Sequence, residues 1–256
     1  MSGSFLLSFM AFPLNVIFAS VWIILLVWLY KQKRDGRFVC FMLSSKATII
    51  AIALLLIGAL GVTFIANFSV SLPFILILLF VQSVLLLVTL RGCRRNGKIR
   101  WRFLLNHAGL WLALFAGFWG AADSHTLRVP VLKNSSTQEA YYDNGTVTHL
   151  DYTLQLKDFS VEYYPNGAPA HYEAHIIIDS DTVAITVNNP YEYSCGEDIY
   201  LTNYDVLKGT DTQYCILQIV REPWKKLLYI AVFMMLSGAA LLFMNGPKKM
   251  KDGNVE

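Results

Sequence analysis

The sequence predicts an α-helical membrane protein of about five transmembrane helices, with an inserted extracytoplasmic all-β domain. Hydrophobic residues make up 55% of the 256 residues and charged residues only 15%, which is too apolar for a water-soluble protein of this length. The apolar residues fall in long uncharged runs, whereas the block 122–222 is polar and acidic. We therefore expect a four-helix transmembrane region at 1–121, a β domain at 122–223, and a final helix with a basic tail at 224–256.

Five apolar segments are long enough to span a bilayer. A hydrocarbon core about 30 Å thick requires roughly 20 apolar residues per helix. The segments that meet this requirement are Leu6–Tyr30, Ala47–Asn67, Leu72–Leu90, Phe103–Ala121 and Leu227–Met244. Pro13 and Asn15 interrupt the first segment, so its beginning is the least well defined boundary. This segment lacks the basic residues that open a cleavable signal peptide, so we expect it to be retained.

Lysine and arginine predict the orientation of these spans. Basic residues are concentrated between the first and second spans, between the third and fourth, and after the last. The connection between the second and third spans carries no charge. Because short basic loops stay in the cytoplasm, we expect the N-terminus and the block 122–222 outside and the basic tail inside.

The net charge of the chain hides two opposite parts. The block 122–222 carries 15 acidic and 5 basic residues, and the rest carries 3 acidic and 16 basic residues. The positive charge is spread over loops that flank the spans rather than gathered on one folded face, so we expect no nucleic-acid partner. Topology and contact with anionic lipids account for the basic loops.

The polar block has the periodicity of β-strands. Hydrophobic residues alternate with polar ones in several runs, and Pro165-Asn166-Gly167 supplies a turn. The strand candidates are 152–156, 159–163, 175–179, 182–187, 199–203 and 213–220. The polar segment Ser124–Thr148 is expected to be a loop. We expect a mostly β domain, either a sandwich or a barrel-like sheet.

No motif of a common catalytic or structural-metal site occurs in the sequence. There is no GxSxG, no HExxH and no phosphate-binding glycine loop. The cysteines have neither CxxC nor zinc-site spacing. Cys195 and Cys215 lie in the exported block, where a disulfide between them is permitted but not required.

His107 is the only histidine in any candidate span, and the other four lie in the polar block. An ionisable side chain inside hydrocarbon costs a few kcal/mol or more, so it usually faces a partner, a cavity or a ligand. One interpretation is a neutral histidine hydrogen-bonded to a neighbouring helix. The other is a metal or haem-iron ligand, since neutral imidazole serves this role without a buried charge. At 1.5 Å per residue, His107 lies about 8–10 Å inside the cytoplasmic boundary set by Arg100 and Arg102.

Small residues surround His107 in the fourth span. Glycine and alanine occur at Ala108, Gly109, Ala113, Ala116 and Gly117. Small side chains allow close approach of a second helix, and they would also leave room for a flat macrocycle. Helix packing is the commoner reason for such a pattern.

Several segments resemble the ResB (also CcsB) family of cytochrome c biogenesis proteins. The longest is Tyr152-Thr-Leu-Gln-Leu-Lys-Asp-Phe-Ser-Val-Glu-Tyr-Tyr-Pro-Asn-Gly-Ala-Pro, which is similar to the family's LxLxDFxVEYYPxGxP stretch. Others follow in the same order at Val187–Tyr193, Ile199–Asp205 and Leu217–Trp224. Upstream, Arg102–Trp111 resembles the family's membrane segment that contains a histidine. The resemblance covers about Arg100 to the C-terminus.

The resemblance implies a role in the system II pathway of the bacterial cytoplasmic membrane. Members of the family, with a partner named CcsA or ResC, carry haem across the membrane and present it to exported apocytochrome c. The partner contains a tryptophan-rich WWD segment. The six tryptophans of this chain form no such cluster, so the chain resembles the ResB half alone and a CcsA/ResC-like partner is implied.

The resemblance also assigns a role to His107, as an axial ligand of the iron of haem b. The second axial ligand would come from the partner, because no other span of this chain contains histidine. Two departures from the family pattern affect the exported domain. Asn189 stands where the family often has histidine, and Leu201-Thr202-Asn203 replaces Gln-Ser-Ser.

Alternatives from other classes remain open at this point. A non-haem membrane receptor or assembly scaffold that displays an acidic β domain would have the same topology. A channel or transporter would need several polar or broken spans, and only Asn15, Gln82 and His107 are notable in this respect. The sequence also leaves open whether the chain takes part in catalysis or only positions haem.

Overall fold

The structure, a computed structural model, describes residues 11–65 and 68–244. Contacts divide the chain into two units. One contains the residues up to Ala122 together with those from Trp224 onward, and the other is Asp123–Pro223. The predicted basic tail and the beginning of the first predicted span lie outside the described residues, as does the end of the second span at Asn67.

The first unit is helical. Its helices are α1 (Leu14–Gln32), α2 (Arg37–Met42), α3 (Ser45–Phe64), α4 (Leu72–Gly92), α5 (Trp101–Leu114) and α6 (Lys225–Met244). The chain continues beyond α5 as a π-helical turn, Phe115–Trp119, and a 3-10 turn, Gly120–Asp123. Within the described residues, five helices are long and apolar enough to cross a membrane, and each overlaps one predicted span. The prediction of five such helices is confirmed.

Local sequence explains where the long helices begin. The Ser44 hydroxyl accepts a hydrogen bond from the backbone N–H of Ala47 at the start of α3. Ser71 caps the N–H of Phe74 in α4 in the same way, with a proline in the first turn of that helix. A serine cap satisfies one of the unpaired N–H groups of a helix N-terminus, and proline there has no N–H to satisfy.

Helices α5 and α6 pack closely through small residues. A Cβ atom on Gly109 would lie 2.9 Å from the carbonyl oxygen of Ala231 and 2.9 Å from Cγ of Met235. A Cβ atom on Gly238 would lie 2.5 Å from Nδ2 of Asn106. Gly109 therefore serves helix packing, whereas the Cβ position of Gly117 has no described atom within 4 Å beyond its chain neighbours and its own helix backbone.

The second unit is one eight-stranded antiparallel sheet, in the order β7-β6-β5-β4-β3-β10-β9-β8. Its strands are β3 (His125–Leu132), β4 (Thr137–Tyr142), β5 (Val147–Tyr163), β6 (Pro169–Ile178), β7 (Asp181–Thr186), β8 (Tyr191–Ser194), β9 (Glu197–Tyr204) and β10 (Tyr214–Arg221). A short hairpin in the helical unit provides β1 (Arg94–Arg95) and β2 (Lys98–Ile99). One core joins Ile185 of β7 to Ile199 of β9, so the sheet curls around a single hydrophobic centre.

The expectation of a loop at Ser124–Thr148 is wrong, because this segment contains β3 and β4. In β3 the buried residues Leu127, Val129 and Val131 alternate with exposed ones. Pro130 is tolerated in β3 because β4 pairs with this strand only at Leu127 and Arg128. The polar residues of the segment lie on the exposed faces of these two strands and in the turns that follow them.

Cys195 and Cys215 are both free. Cys215 pairs with Tyr204 at one end of β9, and Cys195 precedes Glu197 at the other end. At about 3.3 Å per residue, the length of β9 separates them by roughly 20 Å, whereas a disulfide requires Cα atoms within about 7 Å. Burial also raises the pKa of the Cys215 thiol to about 12. These two cysteines therefore form no bridge.

Candidate functional site

His107 lies on α5 in the helical unit, and its side chain is partly exposed. Its Nδ1 atom lies 3.0 Å from the carbonyl oxygen of Phe103, one helical turn earlier. A carbonyl oxygen can only accept, so Nδ1 carries the proton and donates it. In the neutral tautomer that makes this hydrogen bond, the lone pair is on Nε2. Within the part of the chain that the structure describes, no hydrogen bond to Nε2 is found.

The imidazole ring stacks on the ring of Phe103. The two ring centroids are 3.8 Å apart, with an angle of 21° between the planes. Phe103 in turn covers Gly92 at the end of α4, where an added Cβ would lie 2.4 Å from the phenyl ring. Stacking holds one face of the imidazole, but it leaves the in-plane direction of Nε2 uncovered. The side chain is thus held in orientation by two contacts.

This arrangement fits an axial ligand of haem iron. Metal-binding histidines usually donate their second ring N–H to a carbonyl or carboxylate, which fixes the tautomer and orients the ring. The hydrogen bond to Phe103 provides that contact. Gly109, which packs on α6, is two residues from His107 and hence about 200° around the helix. Helix α6 therefore does not cover the side of α5 that carries His107.

A metal ion held by protein side chains alone is not indicated. Among the described residues, no group of three or more histidine, cysteine or carboxylate side chains could hold one. A porphyrin supplies four equatorial nitrogens itself, so haem needs only axial ligands from protein. His107 would hold the iron of such a group through its one ring nitrogen, Nε2, and any second ligand would have to come from another group.

Four arginines line an open cleft near Phe103. The cleft has a volume of about 420 Å³, and its lining is Val88, Arg91, Gly92, Arg94, Arg95, Arg100 and Phe103. The Arg100 guanidinium lies 5.0 Å from the centroid of the Phe103 ring, which also stacks on His107. The cleft and the histidine therefore share Phe103 as a common wall.

The other polar residues of the apolar helices form contacts between helices. The Gln82 side-chain oxygen accepts a hydrogen bond of 2.9 Å from the indole N–H of Trp119, and Asn15 donates to the Trp119 carbonyl at 3.2 Å. The Trp22 indole donates to the Ser83 hydroxyl at 2.9 Å. The sequence analysis identified Asn15 and Gln82 but not the two tryptophans that form these hydrogen bonds. They could have been found from the rule that a buried indole N–H needs a hydrogen-bond acceptor.

Replacing Ser83 by alanine is expected to destabilise the helical unit by about 1–2 kcal/mol, because the indole N–H of Trp22 then loses its acceptor. Thr89→Val is the matched control. Like Ser83, Thr89 donates its hydroxyl to the carbonyl four residues earlier on α4, but no other helix depends on it. Thermal unfolding of both purified variants in detergent tests this. Equal loss of stability in both variants would contradict the assigned role of the indole contact.

The sheet unit contains one buried charged cluster. Tyr152 donates a hydrogen bond to Glu197, and Nε of Arg221 donates to Glu197 at 2.8 Å. Burial and the hydrogen bond to Glu197 raise the pKa of the Tyr152 hydroxyl, which therefore remains protonated. Every charge in the cluster has a partner, so we assign it to joining β5, β9 and β10.

Three comparisons relate the chain to known proteins. A family model described as "ResB-like family" matches residues 93–212. No curated protein matches the sequence. Among solved structures, the chain is similar to "Cytochrome c Heme Lyase CcmF", with a TM-score of 0.43 and 12% identity over 89% of this chain. The chain corresponds to 44% of the length of that protein.

The family match extends from the hairpin that carries Arg94 and Arg95, through α5 with His107, and across the sheet to the residues before β10. It includes the long motif at 152–169 on which the sequence resemblance chiefly depends. The matched segment, 120 of the 256 residues, is similar to the ResB-like family.

Proposed function

We propose that this chain is the ResB-like subunit of a haem delivery and cytochrome c synthesis complex. In this proposal it binds haem b within the bacterial cytoplasmic membrane and helps to present it to exported apocytochrome c. The single observation that supports haem binding most strongly is the hydrogen bond that the His107 side chain forms with the Phe103 carbonyl oxygen. The Nδ1–H···O=C hydrogen bond to Phe103 leaves the Nε2 lone pair free for iron.

The proposed orientation places the sheet unit outside and the β1–β2 hairpin inside. The hairpin and its flanks hold Arg91, Arg94, Arg95 and Lys98, and basic loops of this kind stay in the cytoplasm. His107 would then lie in the inner half of the bilayer, about two helical turns from that boundary. Since haem is made in the cytoplasm, this depth suits an entry position.

The proposed partner is a CcsA/ResC-like membrane protein. His107 provides one axial ligand, and no other candidate span of the sequence contains a histidine. The partner would supply the second ligand and the WWD segment that this chain lacks. When bound, haem supplies the vinyl groups that form thioethers with the cysteines of apocytochrome c. The residues of this chain bind and orient haem before that reaction.

The test is to purify the chain from membranes with and without its CcsA/ResC-like partner and to record visible absorption spectra. We expect a Soret band in the complex. In the chain alone, which offers only one axial ligand, the band should be weaker or absent. A receptor or scaffold that does not bind haem would give no Soret band in either preparation, and that result would overturn the proposal.

A further inference from the structure

The arginine cleft described above is formed by a hairpin whose geometry is fixed by a tight turn and by hydrogen bonds. The β1–β2 hairpin is closed by Asn96 and Gly97, both with positive φ, at 52° and 74°. An Asn-Gly pair with this geometry forms a tight two-residue turn that fixes the register of the strands. The backbone N–H of Arg100 donates to the Cys93 carbonyl at 2.8 Å, and its guanidinium donates to the Gly92 carbonyl at 3.3 Å.

The positive charge of the cleft has no acidic partner among residues 11–65 and 68–244, which the structure describes. None of Arg91, Arg94, Arg95 and Arg100 forms an ion pair with a residue that the structure describes. The sequence contains no aspartate or glutamate between Asp35 and Asp123. Several converging guanidinium groups without a carboxylate favour an anionic ligand. Arginine is well suited to carboxylates because its planar fork can donate two parallel hydrogen bonds.

The position of the cleft relative to His107 suggests which anion it binds. Arg100 immediately precedes α5, and His107 lies seven residues further on, which corresponds to about 10 Å along the helix axis. Phe103 lies between them and contacts both side chains. This spacing is comparable to the span from the iron of a haem to its propionate carboxylates. A planar ligand with a metal centre and two carboxylates on one edge would engage both places at once.

We infer that the cleft formed by Arg91, Arg94, Arg95 and Arg100 binds the propionate carboxylates of haem while Nε2 of His107 faces the iron. The inference rests on the proposed function and specifies how the same site recognises its ligand. Within it, the arginines are positioning residues. They set the edge of the porphyrin that lies toward the hairpin, and they make recognition depend on the carboxylates.

The test compares haem with haem dimethyl ester, in which both carboxylates are capped. Each is titrated into the purified complex and the dissociation constant is read from the Soret band. The ester cannot form charge-assisted hydrogen bonds with the arginines. We therefore expect the wild type to bind haem about tenfold more tightly than the ester. Arg95→Gln and Arg100→Gln should weaken haem binding by about this factor and leave ester binding unchanged.

Arg102→Gln is the matched control. It removes the same charge two residues further along the chain, but Arg102 does not line the cleft, so it should alter neither dissociation constant. Arg100→Gln that binds haem as tightly as the wild type would overturn the inference. If it instead lost co-purified anionic phospholipid, the cleft would be a lipid headgroup site, which also overturns it. In both cases His107→Ala would still weaken the binding of haem and of its dimethyl ester. If the proposed function itself were wrong, His107→Ala would weaken the binding of neither compound.

Discussion

Replacing His107 by alanine is expected to remove most of the Soret absorption from the purified complex and to reduce cytochrome c maturation to background. The substitution deletes Nε2, the nitrogen left free by the hydrogen bond to Phe103. No other histidine of this chain lies in a candidate span, so nothing nearby replaces it. The measurements are the haem content of the complex per mole of protein and the yield of haem-loaded cytochrome c in cells.

Two further variants separate loss of the ligand from loss of structure. His107→Asn keeps a polar side chain next to Phe103 but has no imidazole nitrogen, so it should assemble and still fail in maturation. His149→Ala makes the same substitution at an exposed histidine of β5 and should have no effect. Normal haem content and normal maturation with His107→Ala would show that His107 is a packing residue.

Gly109→Ala is expected to lower the stability of the helical unit by about 1–3 kcal/mol, because the added methyl group would overlap the Ala231 carbonyl oxygen. A backbone atom cannot move aside as a flexible side chain can, so α6 must shift away from α5. Alanine is intrinsically about 1 kcal/mol better than glycine inside a helix. A net loss would therefore demonstrate the close helix contact.

Gly117→Ala is the control for this prediction. It adds the same methyl group further along the chain, where no described atom outside the local backbone lies within 4 Å. Its stability should equal or exceed that of the wild type. The readout for both variants is the midpoint of thermal unfolding in detergent. Gly109→Ala as stable as Gly117→Ala would mean that α5 and α6 do not pack at this position.

The long helices could be predicted because their signal is local and strong. An uncharged apolar run of about 20 residues has few alternatives. The small residue at position 109 was likewise recognisable as a packing position. The predicted number of helices long enough to cross a membrane is therefore correct for the described residues, while some boundaries differ. The last helix, for example, begins at Lys225 rather than at Leu227.

The strands were harder to predict because strand signals are short and depend on pairing. Ser124–Thr148 is rich in polar residues, and its turns dominate the average composition. The alternation of Leu127, Val129 and Val131 is visible in the sequence, but Pro130 between them argues against a strand. Only the pairing of β3 with β10 and, at two residues, with β4 explains why the proline is tolerated.

For the candidate site too, local features could be predicted from the sequence, whereas contacts between different elements could not. His107 was identifiable from its position in an apolar run. The stacking of Phe103 on Gly92, the arginine cleft and the bond between Trp22 and Ser83 join residues from different elements. No periodicity in the sequence reports such contacts. The hairpin turn at Asn96-Gly97 was also missed, although an Asn-Gly pair is a recognisable signal for the tight turn that pairs Arg95 with Lys98.

The central claim is that Nε2 of His107 binds haem iron, and resonance Raman spectroscopy of the ferrous complex tests it most directly. The wild-type complex, with axial ligands from both subunits, should show the marker bands of a six-coordinate low-spin haem, and His107→Gly should show those of a five-coordinate high-spin haem. Added imidazole should occupy the vacated position and restore the six-coordinate low-spin bands. A His107→Gly complex that keeps the wild-type low-spin bands without imidazole would contradict the claim.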